Sequence, residues 1–394
     1  MTHGATHVVM LVRNPFTHDS RVEKEAASLR EAGYRVTVVA DRAPGLPPSE
    51  SKDGIMVRRL ARSKRHLPGI SFAMHERRIA QSLIALRPDV LHAHDSNALV
   101  PVGIAAARVG RPFIYDAHDL WLHRPRRQRT QLYHEAQNAY YRLVERTFVP
   151  RAAATFAVSP PIVRHLARRY ALASVGLVPN YPDHRGVVGR RQLRDLRELR
   201  DIPPGRPLIL YLGGLMGGRG IEHAVRAMPR VPGAHLVLLG SGHQASELAD
   251  EARRAEVSDR VHIVDPVMPD EVVAYAASAT VGISPIVPSC LNYRYSLPNK
   301  LFQYMEAGIP VIASDFSQVR DVVIGSGAGI VVDTESPKAI AGGIAQLLAD
   351  PEAAEAMGRR GHAAVAEQYN WSVSEQVLLA AYARVLQDGR SGGG

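Results

Sequence analysis

The chain has 394 residues, 46% apolar and 22% charged, the balance of a soluble globular protein, and its length asks for two domains rather than one core. No apolar run of about 18 residues is present, and no basic region precedes the apolar Val8 to Val12. That argues against a spanning segment or a secretory leader and for a cytoplasmic protein, and the single cysteine, Cys290, excludes an internal disulfide and a cysteine-built metal site. The net charge of +10 is uneven: residues 121–200 hold 16 Arg, no Lys and five acidic residues.

In chain order, His7 to Val12 reads as a buried strand. Ser20-Arg-Val-Glu23 is a capping box that opens a helix with Val22, Ala26 and Leu29 on one face, closed by Gly33. Tyr34 to Ala40 is a second strand, which makes a β-α-β unit. The loop between the first strand and helix, Arg13 to Ser20, lacks the Gly-x-Gly-x-x-Gly turn of a dinucleotide-binding fold, so hydride transfer is a poor reading.

Strand-like runs recur at Ile55 to Val57, Asp89 to His92, Pro112 to Tyr115 and Thr155 to Val158. Helical stretches alternate with them near Ala73 to Leu86, Leu99 to Arg108 and Thr130 to Arg146, the pattern of a parallel sheet. His92-Ala-His94-Asp95 and Asp116-Ala-His118-Asp119 stand at the carboxyl ends of two strands, the edge where ligands gather in open α/β sheets. Read from the residues alone, His92, His94, Asp95, His118 and Asp119 are either a polar site or a metal cluster, with one of His92 and His94 a core histidine. Arg124, Arg126, Arg127 and Arg129, near Trp121, Tyr133, Tyr140 and Tyr141, suit an anionic partner. Membrane headgroups, a phosphorylated acceptor and nucleic acid all fit, although no nucleic-acid fold signature accompanies them and a solvated arginine-rich face is the bland alternative.

Ser159-Pro-Pro begins another helix, and Gly176 to Asn180 closes the first domain. Residues 181–206, with Pro182, Gly186, Gly189 and Pro203-Pro-Gly205, read as an ordered linker with a helix spaced on Leu193, Leu196 and Leu199. Leu208 to Leu212, His235 to Leu239, Val261 to Val264 and Val281 to Ser284 restart the strand pattern. The glycine-rich loop Gly213-Gly-Leu-Met-Gly-Gly-Arg219-Gly220 lets backbone N–H groups approach a diphosphate.

In Tyr293 to Ser314, Pro298 suits the first turn of a helix that Gly308 ends, and Pro310 to Ala313 form a short buried strand. The N–H groups of Asn299, Lys300 and Leu301, with the Lys300 charge, make an anion site. A last helix, Trp371 to Leu386, turns Val373, Val377, Ala380, Ala381 and Val385 inward, and the tail from Arg390 is expected to be disordered.

The Ser296-x-Pro298-x-Lys300 start, the acidic residue on the helix and the Gly308-x-Pro310-Val close resemble the signature of the family 4 glycosyltransferases. The Asn14-Pro-Phe loop, the histidine motif, the Pro179-Asn180 turn and the Gly213–Gly220 loop resemble that family in order along the chain. The resemblance implies a GT-B fold, two facing α/β Rossmann-like domains with parallel sheets and an interdomain cleft: 1–180 on the acceptor side, a linker 181–206, a donor domain 207–370, a helix 371–388 crossing back and a disordered tail 389–394.

It implies retaining transfer from a nucleotide diphosphate sugar, without metal or other cofactor, in polysaccharide, glycolipid or natural-product synthesis. The implied partners are a glycan, lipid-linked or small-molecule acceptor, and the basic segment adds an anionic membrane touched peripherally at its inner face. His118, Arg219 and Lys300 carry catalysis in this reading. Gly213, Gly214, Arg219, Pro298, Asn299, Lys300, Leu301 and Gln303 bind the donor, and Asp19, Ser20, Arg21, His94 and Asp119 face the acceptor, with Arg21 free to meet an anion.

The family's two glutamates fall on Tyr295 and Gln303, and its first diphosphate arginine falls on Gly214. Gln303 can still serve the ribose, because an amide both accepts and donates. A nucleotide-sugar epimerase of the same architecture and a non-catalytic nucleotide-sugar binding protein are the alternatives.

Overall fold

A computed structural model of the chain describes residues 5–17, 19–61, 70–125, 130–183 and 194–391. It divides into two units, Met1–Asn180 with Ser372–Gly394, and Tyr181–Trp371.

The first unit is ordered as β1 (His7–Leu11), α1 (Ser20–Glu31), β2 (Arg35–Asp41), β3 (Ser49–Lys52), β4 (Ile55–Leu60), α2 (Ile70–Ala85), β5 (Val90–His94), α3 (Leu99–Val109), β6 (Phe113–Ala117), α4 (Gln131–Phe148), β7 (Ala154–Ala157), α5 (Pro160–Tyr170) and β8 (Gly176–Leu177). The sheet order is β3-β4-β2-β1-β5-β6-β7-β8. Every described pairing is parallel except β3 with β4. Strand β3 is polar and has no apolar alternation to announce it. Its hairpin is nevertheless written in Asp53-Gly54, which take φ of 50° and 78° as a two-residue turn requires.

All five residues of β1, of β5 and of β6 are buried, as strands covered on both faces must be. Each buried Val, Leu or Ile there contributes about 1.5–3 kcal/mol of transfer free energy. Helix α1 is capped by Asp19, whose carboxylate accepts from the Val22 N–H, and not by Ser20 as the capping-box spacing suggested.

The second unit runs β9 (Leu208–Leu212), α6 (Ile221–Ala227), β10 (His235–Leu239), α7 (Ala245–Arg254), β11 (Val261–Val264), α8 (Val272–Ala276), β12 (Val281–Ser284), α9 (Leu291–Tyr295), α10 (Asn299–Glu306), β13 (Val311–Ser314), α11 (Ser317–Val323), β14 (Gly329–Val332), α12 (Pro337–Ala349) and α13 (Pro351–Glu367). Its parallel sheet has the order β11-β10-β9-β12-β13-β14. The chain therefore leaves β9 in one direction and returns at β12 in the other, and the edge above β9 and β12 is the switch point where such sheets bind ligands.

Residues 194–206 are no free linker: Leu196 and Ile202 are buried in the core of this unit with Leu208 and Tyr275. Leu193, on which the linker helix was spaced, lies outside the described residues.

Helix α14 (Trp371–Ser391) runs three residues past the expected end at 388, so 389–391 are helical rather than disordered. Leu378, Ala381, Tyr382 and Val385 are its buried apolar residues beyond Trp371, while Val373 and Val377 are exposed. The inward face is thus rotated from the expected one, because the large Tyr382 takes the interior position.

Candidate functional site

In the second unit, the ends of β9 and α10 bring two cations together. The Lys300 Nζ lies 3.5 Å from the centroid of the Tyr211 ring, and it would stand 3.9 Å from a Cβ at Gly213. The Arg219 guanidinium carbon is 4.9 Å from the centroid of Tyr293. Among the described residues neither cation has a carboxylate partner. Burial, and then the Arg219 charge, push the Lys300 ammonium well below the ordinary lysine range. With 8% of its surface exposed and no counter-ion among the described residues, Lys300 is a candidate for holding an anionic ligand.

The glycine-rich loop packs closely against the chain that follows β12. Gly220 caps α6 at φ 67°, and a Cβ there would sit 1.8 Å from the Pro285 carbonyl oxygen. No other residue fits that approach. Pro298 is the N-cap of α10 rather than a member of its first turn, with its carbonyl accepting from the Leu301 N–H at 3.1 Å. Asn299 is exposed, Gln303 is half-buried with a side chain unbonded among the described residues, and Leu301 is core.

Tyr304 fixes the helix. Its hydroxyl accepts from the Leu212 N–H at 2.9 Å and donates to the Ile283 carbonyl at 3.1 Å, tying α10 to β9 and β12. Beside Tyr295, where the family's first glutamate falls, a cavity of about 460 Å³ opens at the ends of β13 and β14, lined by Arg294, Tyr295, Phe316, Gln318 and Asp333. Gln318 donates to the carbonyls of Arg294 and Ser296, both at 2.8 Å, and so holds the start of the signature. Tyr211, Tyr293 and Gln318 were not singled out from the sequence, since aromatic and amide side chains in a core carry no positional signal.

In the first unit, β5 and β6 present a buried polar cluster. Nε2 of His118 lies 3.0 Å from Asp116 Oδ2 and 3.1 Å from Nδ1 of His94. His92 and His94 stack, with centroids 4.2 Å apart, because residues two apart on a strand share a face. The expectation that only one of them is a core histidine is corrected: both are buried. Nδ1 of His92 meets the Tyr382 hydroxyl at 2.9 Å.

Arg21 is turned into this cluster, and the expectation that it meets an acceptor anion is corrected. It is 3% exposed, donates twice to Asp116 at 2.7 Å, reaches Glu25 at 3.0 Å and donates to the Val178 carbonyl. Burial disfavours the Asp116 charge, but Arg21 and His118 outweigh it and hold its carboxyl well below the usual range. Burial and then the Asp116 charge push Glu25 well above that range. Burial lowers His118, yet Asp116 and Asp95 overcome it and raise the imidazole to about 9, so His118 is charged at neutral pH.

Glu25, His92, His94 and Asp116 could each offer an atom to a metal, all within 4.8 Å of one another. They do not fit one. Arg21 already fills the anionic space, and a dication would have to displace it and lie beside the His118 imidazolium.

Asp19 caps α1 and accepts from Asn14 at 2.7 Å, and the Ser20 hydroxyl is 3.4 Å from the Asn180 amide. Asp119 accepts from Arg124 at 2.7 Å. Arg124 also reaches Asp95 at 3.2 Å and stacks on Trp121 at 3.7 Å, so it is not the free surface cation expected of it. Arg126, Arg127 and Arg129 lie outside the described residues.

The family model for glycosyl transferases group 1 matches residues 194–364, and that for the glycosyl transferase 4-like domain matches residues 18–181. The chain is 32% identical over 171 residues to the GDP-mannose-dependent alpha-(1-6)-phosphatidylinositol monomannoside mannosyltransferase of Mycobacterium tuberculosis, a match over 42% of this chain and 44% of that protein. The chain therefore matches less than half the length of that relative. In fold it is similar to the sucrose-phosphate synthase from Thermosynechococcus elongatus, with a TM-score of 0.79 at 19% identity over 98% of this chain and 100% of that one. It is also similar to Anabaena HepE in complex with UDP-glucose, with a TM-score of 0.74 at 15% identity over 96% of this chain and 99% of that one. The fold is GT-B.

Proposed function

We propose that this chain, whose two halves match the group 1 and 4-like glycosyl transferase models, moves a sugar from a nucleotide diphosphate sugar to an acceptor with retention at the anomeric carbon and without a metal. The observation that carries this reading is the pair of uncompensated cations, Lys300 and Arg219, at the strand ends of the second unit. As the bond to the sugar breaks, negative charge collects on the departing diphosphate. Lys300, Arg219 and the N–H groups of the Gly213–Gly220 loop and the α10 start offer that charge donors already in place. Leaving-group stabilisation is then the main catalytic contribution. The acceptor attacks from the same face through an oxocarbenium-like state, with the diphosphate taking the acceptor proton.

His118, on the acceptor side, is a charged hydrogen-bond donor in this scheme. Its Nε2 is committed to Asp116, which leaves Nδ1 to act on the substrate. Gln303 serves the ribose. The named relative and neighbour make GDP-mannose and UDP-glucose the first donors to test. The acceptor is a glycan, a lipid-linked sugar or a small molecule, and peripheral membrane contact through α4 is part of the proposal: Leu132 and Leu143 are 76% and 66% exposed on that helix, flanked by Arg142 and Arg146.

The experiment is a thermal-shift screen of nucleotide sugars followed by assay of free nucleoside diphosphate. A ligand at 100 times its dissociation constant adds about 2.7 kcal/mol, a readily measured shift. Release of diphosphate and glycosylated acceptor together supports transfer. A changed sugar with the diphosphate bond intact would point to an epimerase, and binding without turnover on any acceptor to a binding protein.

A further inference from the structure

Among the described residues Lys300 rests on one aromatic face, and that face belongs to a residue with a second task. Tyr211 is fully buried in β9, its ring centroid is 3.5 Å from the Lys300 Nζ, and its hydroxyl donates to the Gly214 carbonyl at 3.0 Å. Lys300 enters from α10, whereas Gly214 belongs to the glycine-rich loop. One side chain therefore touches both segments that would hold the diphosphate. We propose that Tyr211 is a positioning residue of the donor site, seating the Lys300 ammonium on its ring while its hydroxyl sets the path of the loop. The inference rests on the donor site proposed above and adds to it the group that keeps a buried, carboxylate-free lysine in place.

The chemistry is specific. An ammonium needs a partner when taken from water, and the described charged groups near it offer little help. Arg219 repels it from the loop, Glu222 in the first turn of α6 acts on Tyr211, and Tyr293 lies under Arg219 instead. A ring face within about 6 Å supplies electrostatic attraction without a counter-charge, and its worth rises where water is excluded. A carboxylate in that place would compete with the diphosphate. A phenyl ring does not.

The lowered lysine also gives the idea a readout that a purely structural tyrosine would not move. A bound diphosphate favours the ammonium form of this lowered lysine, so in the pH range where Lys300 titrates the proton uptake on binding depends on how well the ring holds the ammonium beforehand.

The test compares Tyr211→Phe, which keeps the ring and drops the bond to Gly214, with Tyr211→Leu, which drops both. GDP and UDP, and guanosine and uridine as controls, are titrated calorimetrically in two buffers of different ionisation heat. Tyr211→Leu should weaken nucleoside diphosphate binding about tenfold, leave the nucleoside unchanged and increase proton uptake. Tyr211→Phe should keep wild-type proton uptake and lose less than about threefold in affinity. In a Lys300→Met background the two substitutions should become equivalent, a coupling that separates the role from general damage even if one single variant is poorly folded.

Diphosphate affinity and proton uptake of Tyr211→Leu equal to wild type would overturn the proposal, as would equal losses for Phe and Leu. Wild-type protein that binds neither GDP nor UDP would instead overturn the donor-site reading, and this proposal with it.

Discussion

His118 and Asp116 share a 3.0 Å hydrogen bond inside the first unit, with Arg21 gripping the far side of the same carboxylate. The imidazole that results is raised to about 9 and is a cation through the neutral range. His118→Ala should lower kcat on the order of 100-fold while nucleoside diphosphate binding stays near wild type. The kcat profile should fall as pH rises through about 9, where the charge is lost. A rate that instead rises through that range would assign His118 the role of a base. For stability the sign is the same: the raised imidazole contributes fully below its ordinary 6.5, and that contribution disappears as pH climbs through about 9.

Arg21 is predicted to hold the fold rather than a ligand. Arg21→Met leaves Asp116 buried without its guanidinium partner, so thermal and urea unfolding should show a loss of about 3–5 kcal/mol. Near-normal stability combined with a raised acceptor KM would return Arg21 to the acceptor site.

Gln303 has a half-buried side chain on α10, unbonded among the described residues, at the position where the family carries a ribose-binding glutamate. Gln303→Glu should retain or improve nucleotide binding. Gln303→Leu should cost about 1–3 kcal/mol, because the ribose hydroxyls lose their partner. Equal affinities for Leu and Gln would place the ribose elsewhere.

Membrane contact is testable on α4. Leu132→Ser with Leu143→Ser should abolish sedimentation with vesicles of one-third anionic lipid at low salt, and added salt should weaken the parent's binding. A parent protein that stays in the supernatant would remove the membrane from the account.

Much of this was legible in the sequence, and the reasons are local. The strands Leu208–Leu212, His235–Leu239, Val261–Val264 and Val281–Ser284 are short apolar runs bounded by turn residues, and the structure has them at those limits. The candidate anion site is marked by glycines, a proline and a lysine at fixed offsets. What stayed hidden depends on three-dimensional packing. Arg21 looks free in a loop-to-helix segment, and its bidentate pairing with Asp116, 95 residues away, shows where its charge goes. Arg124 looked like part of a solvated basic run until Asp95, Asp119 and Trp121 took up its guanidinium. Tyr211 sits in a strand as one aromatic among apolar neighbours, and its role appears only with Lys300 above its ring.

The central claim is that Lys300 and Arg219 hold one diphosphate. Its most direct test is to measure nucleoside diphosphate and nucleoside affinities for Arg219→Ala, Lys300→Ala and the double variant. Each charged hydrogen bond lost should cost about 1.5–3 kcal/mol of diphosphate binding, and the double variant should depart from additivity because both groups share one ligand. Nucleoside binding should stay nearly constant throughout. Equal losses for nucleoside and nucleoside diphosphate would contradict the claim and make the two residues supports of the fold.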